Sequence, residues 1–493
     1  MAPKPDVVIA GAGPAGSTAG YLLAELGFRV LLLEKSDFPR YRIGESLTPS
    51  ILPLLDFLRV REAIEQAGFL RMAGHTVCWG SPRARTGYYS ADRSRLGFQV
   101  WRETFDALLL EHAGQQPRLE IRFGVGVKRV TLGRRAVAVE AAGHAPVRAR
   151  FFVDATGRSG IVARRNLRRR DPNFRTLAVT GYWRDAASPA GADFGNTLLE
   201  AYENGVVWSV PLGNGLRNVT LLVDWAEGRR IRAASARAFY LAEVERLRHV
   251  SKFLSRASLA GAPRIWDATL YTSRAFAGGR FLLAGDAGLF IDPLSSEGVQ
   301  TAMASAVSGA AVINTILRRP AAADDAIAFY RDAQSNAYLT HYRQSAEYYD
   351  QERRWPHSPF WQKRSGLLAP AHANGALSRA PLRPPAEVSH VAPAQDVRLE
   401  RRPVLEWPWI ATREVLVTGR HPRGVRFLHK VCIPALIKEA RKHPAVVDIL
   451  NGYLNRREGR DAEAGMVRAA LVALYREGVL IAIEPCESRS GSL

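Results

Sequence analysis

VVIAGAGPAGSTAGYLLAELGFRVLLLE, residues 7–34, runs from four apolar residues through a glycine turn into a stretch of small and apolar residues and out into a second apolar run. The pattern reads as strand, turn, helix, strand: one βαβ unit with both strands buried. The turn GAGPAG has glycine at the three places where a dinucleotide-binding turn needs it. Gly11 permits the tight bend, Gly13 lets the backbone approach a pyrophosphate, and Gly16 lets the helix pack on the strand. Pro14 and Ala15 complete the turn and open the helix, whose positive end would face the phosphates. Glu34 closes the second strand eighteen residues beyond Gly16, where a carboxylate can accept hydrogen bonds from ribose hydroxyls. Lys35 beside it is a further candidate contact.

Two later stretches belong with this unit. HAPVRARFFVDATG, residues 144–157, holds another buried strand. Residues 278–317 run from FLLAG through a turn rich in Gly, Asp and Pro into a long helix. Between them, residues 171–275 contain segments such as TLLEAYENGVVWSVPL and RNVTLLVDW that read as antiparallel strands. The expected fold is α/β: a Rossmann-like nucleotide-binding region over residues 1–355 with an inserted antiparallel-sheet substrate domain at about 171–275. Residues 356–410, rich in Pro and Ala, read as an extended connector. Helical patterning returns over 411–493 and ends in VLIAIE, as in a small winged-helix-like domain.

Bulk composition limits the function classes. The 493-residue chain is 47% hydrophobic and 23% charged, enough for a large core divided among two or three domains. Cys78, Cys432 and Cys486 are far apart and lack metal-ligand spacing, so neither a disulfide framework nor a metal site is expected. The net charge of +21, densest in ARRNLRRR at 163–170, favours acidic partners such as a protein, peptide or carrier domain. Nucleic acid is disfavoured, since no recognition motif accompanies the charge. No signal peptide and no apolar stretch of membrane-spanning length is read, and the expected location is the cytoplasm.

Taken together and in order, GAGPAG with Glu34, DATGRSG at 154–160 and AGDAGLFIDPLSSEG at 284–298 resemble the FAD-dependent monooxygenases of the para-hydroxybenzoate hydroxylase fold. EKSDFPRYRIGESL at 34–47 and the SSEG turn look like the branch that contains flavin-dependent halogenases and geranylgeranyl-reductase-like enzymes. The resemblance covers roughly residues 5–350 and implies FAD as cofactor. It implies that Asp154 and Gly285 shape turns at the cofactor, that Asp286 contacts its ribityl or ribose portion, and that Pro293, Ser296 and Gly298 face the isoalloxazine ring. Arg42 and Arg102 match arginines that approach the cofactor in relatives; guanidinium groups neutralise phosphate well. Reduction by NAD(P)H, directly or through a partner flavin reductase, stays open because no separate nicotinamide motif is visible.

Reduced flavin and dioxygen form a C4a-hydroperoxide that hydroxylates a substrate or oxidises chloride, so the substrate side must decide between them. Halogenases of this branch resemble one another in a segment F-x-x-K-x-G followed by WG. Here the segment is FLRMAGHTVCWG, residues 69–80, and Met72 stands at the lysine position. Their W-x-W-x-I-P motif aligns with VVWSVP, residues 206–211, which keeps Trp208 and Pro211 but has Val206 in place of the first tryptophan. Ser295 stands where tryptophan halogenases have a glutamate. These departures favour hydroxylation of an electron-rich aromatic group, with halogenation or a reductase-like reaction as alternatives. Candidate pocket residues are Glu297, His75 and Trp208; Glu297 could instead cap the helix that follows it. The weak likeness of residues 411–485 to leader-peptide-binding domains, with the basic charge, admits a protein substrate. The tryptophan monooxygenases of tryptophylquinone maturation are the family that joins these features. A flavin-containing binding or escort protein is the reading from a different class.

Overall fold

The computed structural model describes residues 4–189, 191–368, 388–460 and 462–483. The chain divides into two compact units, one of residues 1–369 with 407–409, the other of residues 370–406 with 410–493.

The first unit is built on a six-stranded sheet in which Val7–Ala10 lies between Val30–Leu33 and Phe151–Asp154. Phe281–Leu283 and Leu119–Arg122 extend it on either side, and Ala277–Gly278 forms one edge. All pairings except that edge are parallel. The register sets Ala10 opposite both Leu33 and Asp154, and Asp154 opposite Leu283. The three motifs read from sequence therefore leave the sheet at one carboxyl edge, side by side, where an open α/β sheet binds its ligand. One face is covered by helices Pro14–Glu25, Arg102–Gly114 and Gly298–Arg318, the other by a three-stranded sheet whose Val137 and Val139 pack on Val8, Leu31 and Leu33. Helix Gly298–Arg318 is long and apolar enough by composition to cross a membrane, contrary to the reading above, but 67% of its apolar window is buried inside the protein.

The second sheet runs Ser258–Leu259, Thr176–Arg184, Leu216–Asp224, Gly205–Gly213, Thr197–Tyr202, Gly74–Cys78, Arg85–Tyr88, with Arg264–Asp267 also paired to Thr176–Arg184. It is antiparallel except where Thr197–Tyr202 meets Gly74–Cys78. The expected insertion at 171–275 thus takes two strands from residues 74–88, distant in sequence. Both faces are covered. Leu177, Val207, Val219, Leu221 and Val223 pack on Phe239 and Tyr240, while Ala178, Val206, Trp208 and Leu222 join Trp79, Tyr349, Phe360 and Trp361.

Residues 356–410 are not uniformly a connector: Pro359–Gln362 is helical, and Arg398–Glu406 pairs with Trp409–Val417 as a ribbon. In the second unit, helices Ile433–Lys442, Val446–Leu454 and Ala464–Arg476 bury Ile433, Leu436, Ile449, Val467 and Leu471 together. Leu480–Ala482 pairs with Val391–Pro393. The Tyr453 hydroxyl, wholly buried, accepts a 2.7 Å hydrogen bond from the Cys432 amide and anchors this core. Cys78 and Cys432 are free and buried, and burial pushes the Cys78 thiol up to about 12, which makes it inert. Cys486 lies outside the described residues.

Candidate functional site

The glycine turn closes as its residue types require. Gly11 has φ +98°, and a side chain there would come within 2.4 Å of the Ala155 carbonyl oxygen. At Gly16 a Cβ would come within 1.8 Å of the Gly11 carbonyl, so helix and turn touch backbone to backbone. Helix Pro14–Glu25 starts at Gly13 without a side-chain cap, and its first amides are left for an anion. Glu34, 3% exposed, braces the turn: its carboxylate accepts from the Ala12 amide at 2.8 Å and the Ser36 amide at 3.0 Å. Each oxygen keeps a second lone pair for a ribose hydroxyl.

Three arginines crowd this turn. Arg102 is 8% exposed, forks onto Asp106 at 3.0–3.3 Å and donates to the Ile43 carbonyl at 2.6 Å. Arg42 lies nearby with its pKa lowered by burial and by the Arg40 charge. Arg40 itself was missed in the sequence reading. Its guanidinium stands 3.8 Å from Glu34 and 3.7 Å from Asp106, and a Cβ on Gly13 would lie 3.3 Å from its Nη2. Its buried Nε has no hydrogen-bond partner among the described residues. Lys35 is exposed, whereas Arg40 lies against the glycine turn. The signal was present in FPRYR, where an arginine stands two residues before Arg42.

Asp154 turns inward. Its carboxylate accepts from the Thr156 hydroxyl at 2.6 Å, the Thr156 amide at 3.2 Å and the Val162 amide at 2.8 Å, and so shapes the DATG turn from within. At the third motif, Gly285 donates its amide to Ser305 Oγ at 2.8 Å. The neighbouring Asp286 carboxylate makes no hydrogen bond among the described residues; burial raises its pKa, and Arg158, Arg102 and Arg168 oppose that. Such a carboxylate suits a polyol chain.

Asp292 caps the turn Pro293–Ser295, the stretch that the resemblance places against the flavin ring, by accepting from the Leu294 amide at 3.0 Å. Ser296 follows at φ +53°, and Gly298 opens the long helix with nothing within 4 Å of a built Cβ. Glu297 is the N-cap residue but makes no side-chain cap bond. Its carboxylate instead faces His341 Nδ1 at 3.5 Å, from helix Ala323–Asp350. Burial lowers the His341 pKa and Glu297 opposes this. Tyr89 stands close enough that Glu297 adds to the rise burial imposes on its pKa, and the His75 ring lies 5.7 Å from the Tyr89 ring. His341, which faces Glu297, is a residue no local pattern signalled. Trp208 is 8% exposed and packs in the aromatic cluster that also holds Phe290 and Leu294.

Clustered guanidinium groups at the glycine turn, a carboxylate left free at the third motif and open space before Gly298 fit a flavin dinucleotide from diphosphate to ring. Residues 4–337 match the FAD binding domain family. The chain belongs to this family, in its halogenase-like branch. It is 35% identical over 350 residues to a tryptophan 2-halogenase of Chondromyces crocatus, covering 68% of this chain and 65% of that protein. It is 31% identical over 363 residues to the flavin-dependent halogenase armH1 of Armillaria mellea, covering 68% and 69%. Thus the chain spans about two thirds of the length of these relatives. Among solved structures, the flavin-dependent halogenase CmlS superposes with a TM-score of 0.81 at 27% identity over 98% of this chain and 97% of that one. The peptidyl tryptophan dihydroxylase QhpG, at 24% identity, shares the fold with a TM-score of 0.69 over 95% and 99%.

Proposed function

We propose that the protein is an FAD-dependent monooxygenase that hydroxylates an electron-rich aromatic group, with a tryptophan of a protein or peptide as the substrate class that its basic charge favours. The observation that carries this reading is Met72. It is 2% exposed on strand Leu70–Met72, which pairs with Gly97–Gln99 beside the site, and it occupies the position where the halogenase motif has lysine. A thioether neither donates a hydrogen bond nor carries the charge that would hold an oxidised halogen.

When bound and reduced, FAD with dioxygen supplies an electrophilic oxygen atom; NAD(P)H, directly or through a partner reductase, is the proposed source of electrons. The balance is one aromatic C–H, one dioxygen and two electrons with two protons giving one aromatic C–OH and one water. The chain's residues position and deprotonate. Trp208 and the aromatic cluster exclude water from one side. Glu297, with His341 Nδ1 at 3.5 Å, is suited to take the proton that the ring releases as it regains aromaticity. His75 and Tyr89 offer polar groups at the rim.

Halogenation is the second reading, favoured by the names of the relatives. Incubating the FAD-loaded protein with reductase, NAD(P)H, labelled dioxygen and chloride or bromide separates the two. The proposal expects one labelled oxygen atom in the aromatic product whatever the halide; replacement of hydrogen by halogen overturns it. Met72→Lys is expected not to confer chlorination, since burial disfavours the ammonium at that site and Val206 and Ser295 remain changed.

A further inference from the structure

Arg217, on strand Leu216–Asp224, takes no part in the site described above. It is 1% exposed, and strand alternation puts it on the face that carries Val219, Leu221 and Val223. Its guanidinium lies over the ring of Phe253 at 4.4 Å. Leu222 and Trp208 point the other way, into the cluster beside the flavin-facing turn. Arg217 is therefore behind the sheet from the flavin.

A guanidinium withdrawn from water carries a large desolvation cost unless an anion stands beside it. Other deeply buried arginines of this unit have one: Arg102 has Asp106 at 3.0 Å, and Arg364 has Asp224 at 3.6 Å. Arg217 has two hydroxyls instead. Its Nη1 donates to Ser209 Oγ at 3.0 Å and its Nη2 to Ser188 Oγ at 3.4 Å. Its Nε has no hydrogen-bond partner, and no carboxylate acts on it, among the described residues. Burial lowers its pKa to about 10, so it stays charged at neutral pH. Each serine that accepts from Arg217 keeps its own proton to donate. One positive charge, a spare N–H and two hydroxyl protons make a donor set that lacks an acceptor. Ser209 is wholly buried whereas Ser188 is exposed, which gives the set a side open to solvent.

We propose that Arg217, Ser188 and Ser209 form a binding site for a small monovalent anion, chloride under ordinary ionic conditions. A single cation balances one charge, which suits a monovalent ion better than a divalent phosphate. The net charge of +21 raises the local concentration of such ions. Bound there, the ion ties the loop at Ser188 to the sheet, beside the hydrogen bonds from Ala186 to Gly215 and from Ala187 to Phe253, both 2.8 Å. It is a structural ion, not consumed, and is independent of whether the flavin reaction uses halide.

The test is the thermal midpoint of the FAD-bound full chain in chloride, bromide or gluconate at one fixed ionic strength, which holds general screening constant. Chloride and bromide are expected to raise the midpoint by a few degrees over gluconate, and Arg217→Met to abolish the difference. Crystals grown in bromide are expected to show an anomalous peak within hydrogen-bond reach of Arg217 Nε. Equal midpoints in the three salts, or the same halide response in Arg217→Met, overturn the proposal; a bromide peak with no halide effect on the midpoint means an adventitious ion only and overturns it as well. Should Arg217→Met fail to fold, Ser188→Ala at the exposed rim is expected to need several-fold more chloride for the same rise, and an unchanged requirement counts against the site.

Discussion

Arg40 shows how one side chain changes the reading of a site. Sequence comparison with relatives pointed to Arg42 and Arg102, yet Arg102 is held by Asp106 and Ile43, while Arg40 faces Gly13 with a donor to spare. Arg40→Met is expected to weaken FAD binding about ten- to a hundredfold, the value of one or two charge-assisted hydrogen bonds, as read by flavin fluorescence titration. Asp292 carries a second prediction at this scale. Burial raises its pKa to about 6, so its neutral form is the one the fold favours. Its contribution to stability is present below the ordinary carboxylate range near 3.8 and is lost as pH rises through about 6. Relative to Asp292→Asn, which does not titrate, the native chain is expected to lose about 3 kcal/mol of stability on going from acid to neutral pH. Urea midpoints of both proteins measured across that range check this; parallel curves would contradict it.

At the scale of elements, the strands of the second sheet, whose segments read as alternating in the sequence, are buried on both faces. Helices cover one face and the aromatic cluster the other, so both sets of side chains are buried. Leu221, wholly buried on the helical side, is away from the flavin. Leu221→Ala is expected to cost about 2–5 kcal/mol in denaturant unfolding while leaving the ratio of flavin to protein at its native value. The βαβ unit was legible because its code is local: turn glycines, apolar runs and a carboxylate at fixed spacing. Strands Gly74–Cys78 and Arg85–Tyr88 were not placed, because membership in a sheet depends on partners far along the chain. Within the stretch read as an extended connector, the ribbon Arg398–Val417 likewise shows in its pairing and not in its composition.

For the molecule as a whole, every flavin motif lies in the first unit, so a chain ending at residue 368 is expected to keep FAD, measured as absorbance of the purified protein. If the second unit recognises a protein substrate, the truncated chain is expected to lose turnover of that substrate while retaining oxidation of a small aromatic compound. Undiminished turnover of the protein substrate would remove any recognition role from residues 388–483.

By itself, the glycine turn with its flanking strands and Glu34 determined a dinucleotide site, because that turn needs a backbone shape few residues can adopt, while the flavin followed from the resemblance of the three turns, in order, to FAD-dependent monooxygenases. Met72, Val206 and Ser295 likewise identified, one by one, where the halogenase pattern is broken. Tertiary structure alone decided what those turns are lined with. Arg40 lies against Gly13, His341 reaches Glu297 from another helix, and Arg217 is buried behind a sheet beside two serines. Such pairings depend on which distant segments packing brings within a few ångströms, a distance no spacing along the chain encodes.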